Sequence, residues 1–242
     1  MKNPGKPEGD YMIMPVHRNI SGSFRPRRPL WWPSVTLSLI LPLLAAFLFS
    51  GCGKPPNLIN RYILDYAPPV LPRLTPLDTG IKVGLFAVDA TINRQEMVYR
   101  VNPYRTGTYW YNRWRANPGN LVTDYLARDL RDSRLFKVVF TDDVSGTARF
   151  RLEGGVVEFQ ENNSPGLWQA SLLLNVTLLD TDQENIADKV MFQRSYQTQE
   201  PMLSKTPEGL AAAMSSAMQQ LSRQIIDDVY RAVKQRLGAP PS

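Results

Sequence analysis

Histidine and cysteine are almost missing from this 242-residue chain: each occurs once, as His17 and Cys52. A disulfide-built domain is excluded, because a single thiol has no partner within the chain. Charge is missing altogether between Pro29 and Gly53. That gap holds Trp31, Trp32, Val35, Leu37, Leu39, Ile40, Leu41, Leu43, Leu44, Phe47 and Leu48, and Arg25, Arg27 and Arg28 stand just before it. A basic segment, an apolar run and then small residues are the order a secretory signal needs, since the arginines stay in the cytoplasm while the apolar run enters the bilayer. Residues 1–51 are therefore expected to be a signal peptide.

The run ends in Phe49-Ser50-Gly51-Cys52, which resembles a bacterial lipobox with Phe in place of the usual Leu. Two small residues there let a peptidase approach the bond before a Cys that carries diacylglycerol. The other reading is a plain transmembrane anchor, since about 20 apolar residues also span a bilayer. Lipidation is favoured because the chain's single Cys lies at the cleavage spacing, and because Pro33 and Pro42 would interrupt a packed membrane helix. Gly53 stands where an inner-membrane retention Asp would sit, and resemblance to enterobacterial lipoproteins implies attachment to the periplasmic face of the outer membrane. The stretch before Arg25 is long for a signal, and Met12 and Met14 offer alternative starts.

Cleavage before Cys52 would remove six basic and two acidic residues, leaving 22 basic against 20 acidic. The surplus of positive charge belongs mostly to the signal, so the electrostatic footprint of a nucleic-acid binder is absent and no nucleic-acid partner is expected. From Cys52 to Ser242 there is no His, which excludes Ser-His-Asp and Cys-His catalysis and His-ligated zinc. Carboxylates remain. Asp142-Asp143 and Asp180-x-Asp182-x-Glu184 have the chemistry for a hard cation or for acid–base work. The second run lacks the glycine and distal Glu of a calcium loop, and a polar turn between strands is the simpler account. No catalytic residue, metal or cofactor is assigned.

Residues 52–80 carry the lipidated Cys and six prolines among Pro55, Pro56, Pro68, Pro69, Pro72 and Pro76. They read as an extended tether in which Tyr62-Ile63-Leu64 docks as an edge strand. The domain proper is expected over 81–242. Ile81–Val88, Met97–Val101 and Thr108–Arg115 have strand character. A helix starts after Asn117-Pro118-Gly119-Asn120, with Leu121, Val122, Tyr125, Leu126 and Leu130 inward and Asp124, Arg128, Asp129, Arg131 and Asp132 outward. Phe136–Thr141, Arg149–Gln160, Trp168–Leu179 and Lys189–Thr198 continue as strands, the second bulged at Gly154-Gly155. A last helix begins at Thr206-Pro207, with a stripe of Leu210, Met214, Met218, Leu221, Ile225, Val229, Val233 and Leu237 that reads as core. The sum is an α+β fold: a mostly antiparallel sheet with two helices on one face.

Tyr99, Tyr104, Tyr109, Trp110, Tyr111 and Trp114 crowd into sixteen residues, in a region that also holds Arg94, Arg100, Arg105, Arg113 and Arg115. Tyr, Trp and Arg are enriched in protein interfaces, and the same mixture suits a headgroup-facing surface. The structural alternative is a hairpin with its aromatics inward, yet alternation buries only about half of them. The candidate contact residues are Tyr99, Arg100, Tyr104, Tyr109, Trp110, Tyr111, Arg113 and Trp114.

Several stretches, in order, carry a family likeness: Arg61-Tyr62-Ile63-Leu64, Ile81-Lys-Val-Gly-Leu-Phe, Met97-Val98-Tyr99-Arg100, Tyr104-Arg105, Tyr109-Trp110-Tyr111-Asn112-Arg113-Trp114, Leu121 to Leu130, Ser133-Arg134-Leu135-Phe136, Tyr196 and Ser222-Arg223-Gln224. With the lipobox, they resemble the ABC-type transport auxiliary lipoprotein components, PqiC-like proteins. Asn112 departs from the pattern, where His is common. The resemblance implies a fold like the amino-terminal domain of TolB and a role beside a mammalian-cell-entry-type substrate-binding protein of a lipid-moving ABC system. It implies membrane attachment through the lipid anchor and leaves phospholipid as an open ligand and a homo-oligomer as an open assembly state. The competing function is a soluble-domain carrier that holds acyl chains between sheet and helices.

Overall fold

In the computed structural model, residues 58–72, 74–164 and 166–238 are described, and they belong to one compact unit. The expected signal peptide and Cys52 lie outside them. In chain order the elements are β1 (Asn60–Tyr62), β2 (Leu77–Val83), β3 (Ala87–Val88), β4 (Glu96–Asn102), β5 (Arg105–Trp114), α1 (Pro118–Ser133), β6 (Phe136–Thr141), β7 (Phe150–Ser164), β8 (Leu167–Asp180), α2 (Ile186–Lys189), β9 (Val190–Pro201) and α3 (Pro207–Gly238). Among the described residues no helix is long and apolar enough to cross a membrane.

The strands join in one sheet. β7, β8 and β9 form an antiparallel meander with the longest ladders. Along the other edge of β7 run β2, β3 and β4 in succession, all parallel to it. β6 pairs parallel with β2, while β5 pairs antiparallel with β4 and β1 parallel with β5. The α+β expectation holds, with short parallel pairings added to the long antiparallel ones. Because β4 points the same way as β7 and β9 points against β8, the β4–β5 turn, the β7–β8 turn and the β9–α3 loop lie at one end of the sheet.

Alternation on β8 turns Ala170, Leu172, Leu174, Val176 and Leu178 into the core, all fully buried, as a strand with one covered face requires. The cover comes from α3 over β8 and β9 and from α1 over β6, β7 and β2. The Thr206 hydroxyl accepts from the Gly209 N–H at 3.1 Å and caps α3. Its stripe from Leu210 to Val233 is fully buried, and the last member, Leu237, is exposed. At the start of α1 the Asn117 side chain accepts from the Gly119 N–H at 3.0 Å, with Pro118 in the first turn.

Four local expectations change. The single strand expected over 81–88 is two, because the chain leaves the ladder at Gly84 to turn Phe86 into the core, where the Phe86 N–H donates to the Thr123 hydroxyl. The bulge expected at Gly154-Gly155 falls between Val156 and Glu158; Gly154 is needed instead for the close approach of the Asn175 carbonyl and the Phe86 ring. A turn of helix, α2, caps itself on Asn185 within the β8–β9 connection. The edge strand expected at Tyr62–Leu64 forms at Asn60–Tyr62, and Leu64 is buried.

The proline-rich stretch is less of a tether than its composition suggests. The Asp65 N–H donates to Ser215 Oγ at 2.9 Å, Gln219 Nε2 donates to the Ala67 carbonyl at 2.7 Å, and the Tyr230 hydroxyl donates to the Thr75 carbonyl at 2.9 Å. Prolines hold the segment extended, and side chains of α3 satisfy backbone groups that no ladder reaches. The domain thus begins ahead of residue 81.

Candidate functional site

The aromatic segment lies on the β4–β5 hairpin, and its register decides which rings are available. Val98 pairs with Thr108, Tyr99 with Gly107 and Arg100 with Thr106, yet Glu96 pairs with Arg113. Between those registers Met97 alone faces four residues of β5, Tyr109 to Asn112. Inserting three extra residues reverses which parity of β5 faces inward. Below the bulge Tyr109 points in: its hydroxyl donates to Glu161 Oε2 at 2.8 Å, and its ring meets Tyr99 edge-on at 5.1 Å. Above it Trp114 points in, meeting Phe159 edge-on at 5.0 Å. Phe159 and Glu161 are two residues apart on β7 and so share a face.

Trp114 is therefore a correction to the candidate contact set: at 1% exposure it is core. Trp110, which shares its parity, is thrown outward and is 75% exposed. Tyr104 at the hairpin tip is 98% exposed, and Tyr111 is exposed. Tyr99 and Tyr109 are half-buried, with the Tyr99 ring laid over Gly107, where a Cβ would collide with it. The two arginines are held by carboxylates: Arg100 Nη1 lies 3.5 Å from Glu158 and Arg113 Nη2 lies 3.0 Å from Glu96. Their guanidinium groups stabilise the hairpin before they serve any ligand. A cleft of about 420 Å³ is lined by Tyr99, Thr108, Tyr109, Trp110, Tyr111, Asn112 and Asn163.

Beneath this cleft Glu161 is fully buried, and burial raises its carboxyl above the usual range despite the hydrogen bond from Tyr109. Its Oε1 has no hydrogen-bond partner among the described residues. Asn112 Oδ1 accepts from Asn60 Nδ2 at 3.1 Å and from the Tyr62 hydroxyl at 3.2 Å, and Tyr62 also lies 2.7 Å from Glu208 Oε1. Burial, then Glu208, pushes the Tyr62 hydroxyl up to about 12. Tyr62 thus joins β1, β5 and the start of α3.

Two further carboxylates, Asp180 and Asp142, are engaged in structural pairs. Asp180 is fully buried and accepts from Arg149 Nε at 3.0 Å and Nη2 at 2.9 Å, with Arg236 at 3.6 Å, and the Arg149 contact holds its carboxyl below the usual range. Asp142 accepts from both terminal nitrogens of Arg151, which lowers it likewise. It borders a cleft of about 520 Å³ that also contains Asp124 and Asp143. Burial, then Asp143, raises Asp124.

One polar cluster was misplaced by sequence reasoning. Asp129, assigned to the outer side of α1, is buried, and Asp129 Oδ2 accepts from the Tyr66 hydroxyl at 2.8 Å and from Ser222 Oγ at 2.6 Å. Asp129 Oδ1 accepts from Arg128 Nε at 2.9 Å, and the Arg128 guanidinium lies over the Tyr66 and Tyr125 rings at 4.3 and 4.6 Å. The Tyr125 hydroxyl donates to the Leu64 carbonyl. Burial, then Asp129, raises the Tyr66 hydroxyl well above its ordinary value. The cluster fastens the incoming chain to both long helices.

A family model described as ABC-type transport auxiliary lipoprotein component matches residues 62–226. The crystal structure of protein XCC0632 from Xanthomonas campestris, assigned to family DUF330, superposes with a TM-score of 0.67 at 18% identity, covering 74% of this chain and 99% of that one. A second crystal structure, of an uncharacterized protein, gives a TM-score of 0.57 at 13% identity, covering 71% and 99%. These likenesses establish the fold. A search of curated protein sequences finds no match.

Proposed function

Since the chain belongs to the ABC-type transport auxiliary lipoprotein component family, we propose that it is tethered through Cys52 to the periplasmic face of the outer membrane. There it docks a mammalian-cell-entry-type component of an ABC lipid transport system. The family supplies the coarse role, an accessory of a transport system in the bacterial envelope, and no catalytic step is part of it. The exposed aromatics of β5 and its turn, Tyr104, Trp110 and Tyr111, are the domain's partner- or membrane-contacting surface, together with Tyr99, Tyr109, Arg100 and Arg113.

The observation that favours docking over carriage is how the space between sheet and helices is filled. Leu172, Leu174 and Val176 of β8 and Met214, Met218, Leu221 and Ile225 of α3 are all fully buried in one cluster. An acyl chain would have to displace these side chains at roughly 1.5–3 kcal/mol each. The described clefts at β5 and α1 are lined by none of these core side chains.

The test is fractionation of the full chain. The protein should sediment with outer membranes, and its amino-terminal peptide should have the mass of a diacylglyceryl Cys52. Cys52→Ser should abolish both. A Cys52→Ser variant that fractionates as the parent does sinks the anchor, and stoichiometric phospholipid retained by the protein purified alone would favour the carrier.

A further inference from the structure

The same end of the sheet gathers apolar side chains that no fold requirement explains. Tyr104 stands on the β4–β5 turn, Leu167 follows the β7–β8 turn, and Leu203 lies in the β9–α3 loop; the first and last are fully exposed and Leu167 is half exposed. Trp110 and Tyr111 share a cleft with Asn163, and Asn163 pairs with Trp168 beside Leu167. The Trp168 carbonyl accepts from the Met202 N–H at 2.9 Å, which brings the Leu203 loop to the same place. The described chain also enters here: Asn60 pairs with Asn112, and the residue two positions earlier, Leu58, is 81% exposed.

We infer that this end of the domain lies in the headgroup region of the bilayer that holds the anchor, with Trp110, Tyr104 and Leu203 as its inserted tips. The inference rests on Cys52 as the lipidated residue. Leu58 follows Cys52 by six residues, which span at most about 20 Å even when fully extended. Whatever surface surrounds Leu58 is thus held close to the lipid, and it is this surface that is apolar and aromatic. Trp and Tyr favour the membrane interface because an apolar ring and a polar tip are both accommodated there. Cations stand beside the tips: Arg105 next to Tyr104, and Lys205 two residues after Leu203 with its ammonium 5.1 Å from the Trp168 ring. Both suit lipid phosphates. The bilayer is favoured over a second copy of the chain because the apolar groups stand on separate turns with polar residues between them. A stable protein interface needs about 800 Å² of continuous surface per partner, whereas lipid closes around isolated tips.

The protein expressed from the full chain and purified from membranes is to be reconstituted into vesicles of phosphatidylethanolamine and phosphatidylglycerol whose acyl chains carry bromine, which quenches tryptophan emission on contact. The Trp110 contribution is the difference between the parent and Trp110→Phe. It should be quenched, while Trp114, sealed against Phe159, should not. Leu203→Asp changes a fully exposed residue, should leave the unfolding midpoint in place, and should cut the quenching of Trp110 severalfold. An unquenched Trp110 in monomeric protein overturns the inference. So does a Trp110 shielded from lipid in protein that crosslinks to itself through this end. The mass of the amino-terminal peptide from the same preparation tests the anchor separately: quenching without diacylglycerol on Cys52 would uphold the surface and end the lipoprotein reading.

Discussion

Trp114→Ala and Trp110→Ala separate core from surface within one β-strand. Trp114 is 1% exposed, packs edge-on against Phe159 at 5.0 Å and sits opposite Tyr62 in the β1–β5 register. Truncating it removes a large buried ring and leaves a void that strands on both sides hold open. Such changes cost about 3–5 kcal/mol. For a domain of this size each kcal/mol lowers the melting temperature by about 2–4 °C, so the expected fall is about 6–20 °C. Trp110 is 75% exposed, and truncating it should change stability by less than about 0.5 kcal/mol. Thermal unfolding of both variants, followed by far-ultraviolet circular dichroism, is sufficient. A Trp110 variant that unfolds as early as the Trp114 variant, or a Trp114 variant that unfolds with the parent, would refute the bulged register and the surface built on it.

Asp129→Ala should destabilise the domain by about 3–5 kcal/mol in urea unfolding, because it strands Arg128 and two hydroxyls, whereas Asp129→Asn, which still accepts from Ser222 and Tyr66, should cost clearly less. Asp180 has a lowered carboxyl in the fold, so the stability it contributes is present above its ordinary value of 3.8 and is lost as pH falls through the lowered one. Arg149→Met should therefore be most destabilised near neutral pH and should converge with the parent in acid; a gap that stays constant with pH would contradict this. For Glu161 the sign reverses: its raised carboxyl contributes stability below 4.5 that is lost as pH rises through the folded value. Glu161→Gln keeps an acceptor for Tyr109 without the buried charge, so at pH 7 it should be no less stable than the parent, and a lower midpoint there would contradict the assignment.

The parts of this fold that one face of an element dictates were legible in the sequence. The alternation of β8 and the three-to-four spacing of α3 each name a buried side, and packing keeps both. What the sequence concealed were departures from periodicity. Trp110 and Trp114 share a parity and belong together on any regular strand; only the three-residue excess opposite Met97 sends one out and the other in, and that excess depends on pairing with β4. Asp129 is the opposite case. Its spacing from Val122 and Leu126 places it on the buried side of α1, and its charge argued for the wet side. The partners that neutralise it, Tyr66 and Ser222, come from distant parts of the chain. The proline-rich stretch hid its docking for the same reason, since its hydrogen bonds go to α3 residues some 150 positions away.

The central claim is that this lipoprotein works by holding a transport partner rather than by carrying lipid itself. Its most direct test is affinity purification of the tagged full-length protein from envelopes solubilised in mild detergent, with the retained proteins identified by mass spectrometry and the retained phospholipid counted. The account predicts a mammalian-cell-entry-domain protein recovered in proportion to the bait, with no phospholipid held by the domain after that partner is removed. Recovery of the bait alone, bearing about one phospholipid per chain, would contradict it.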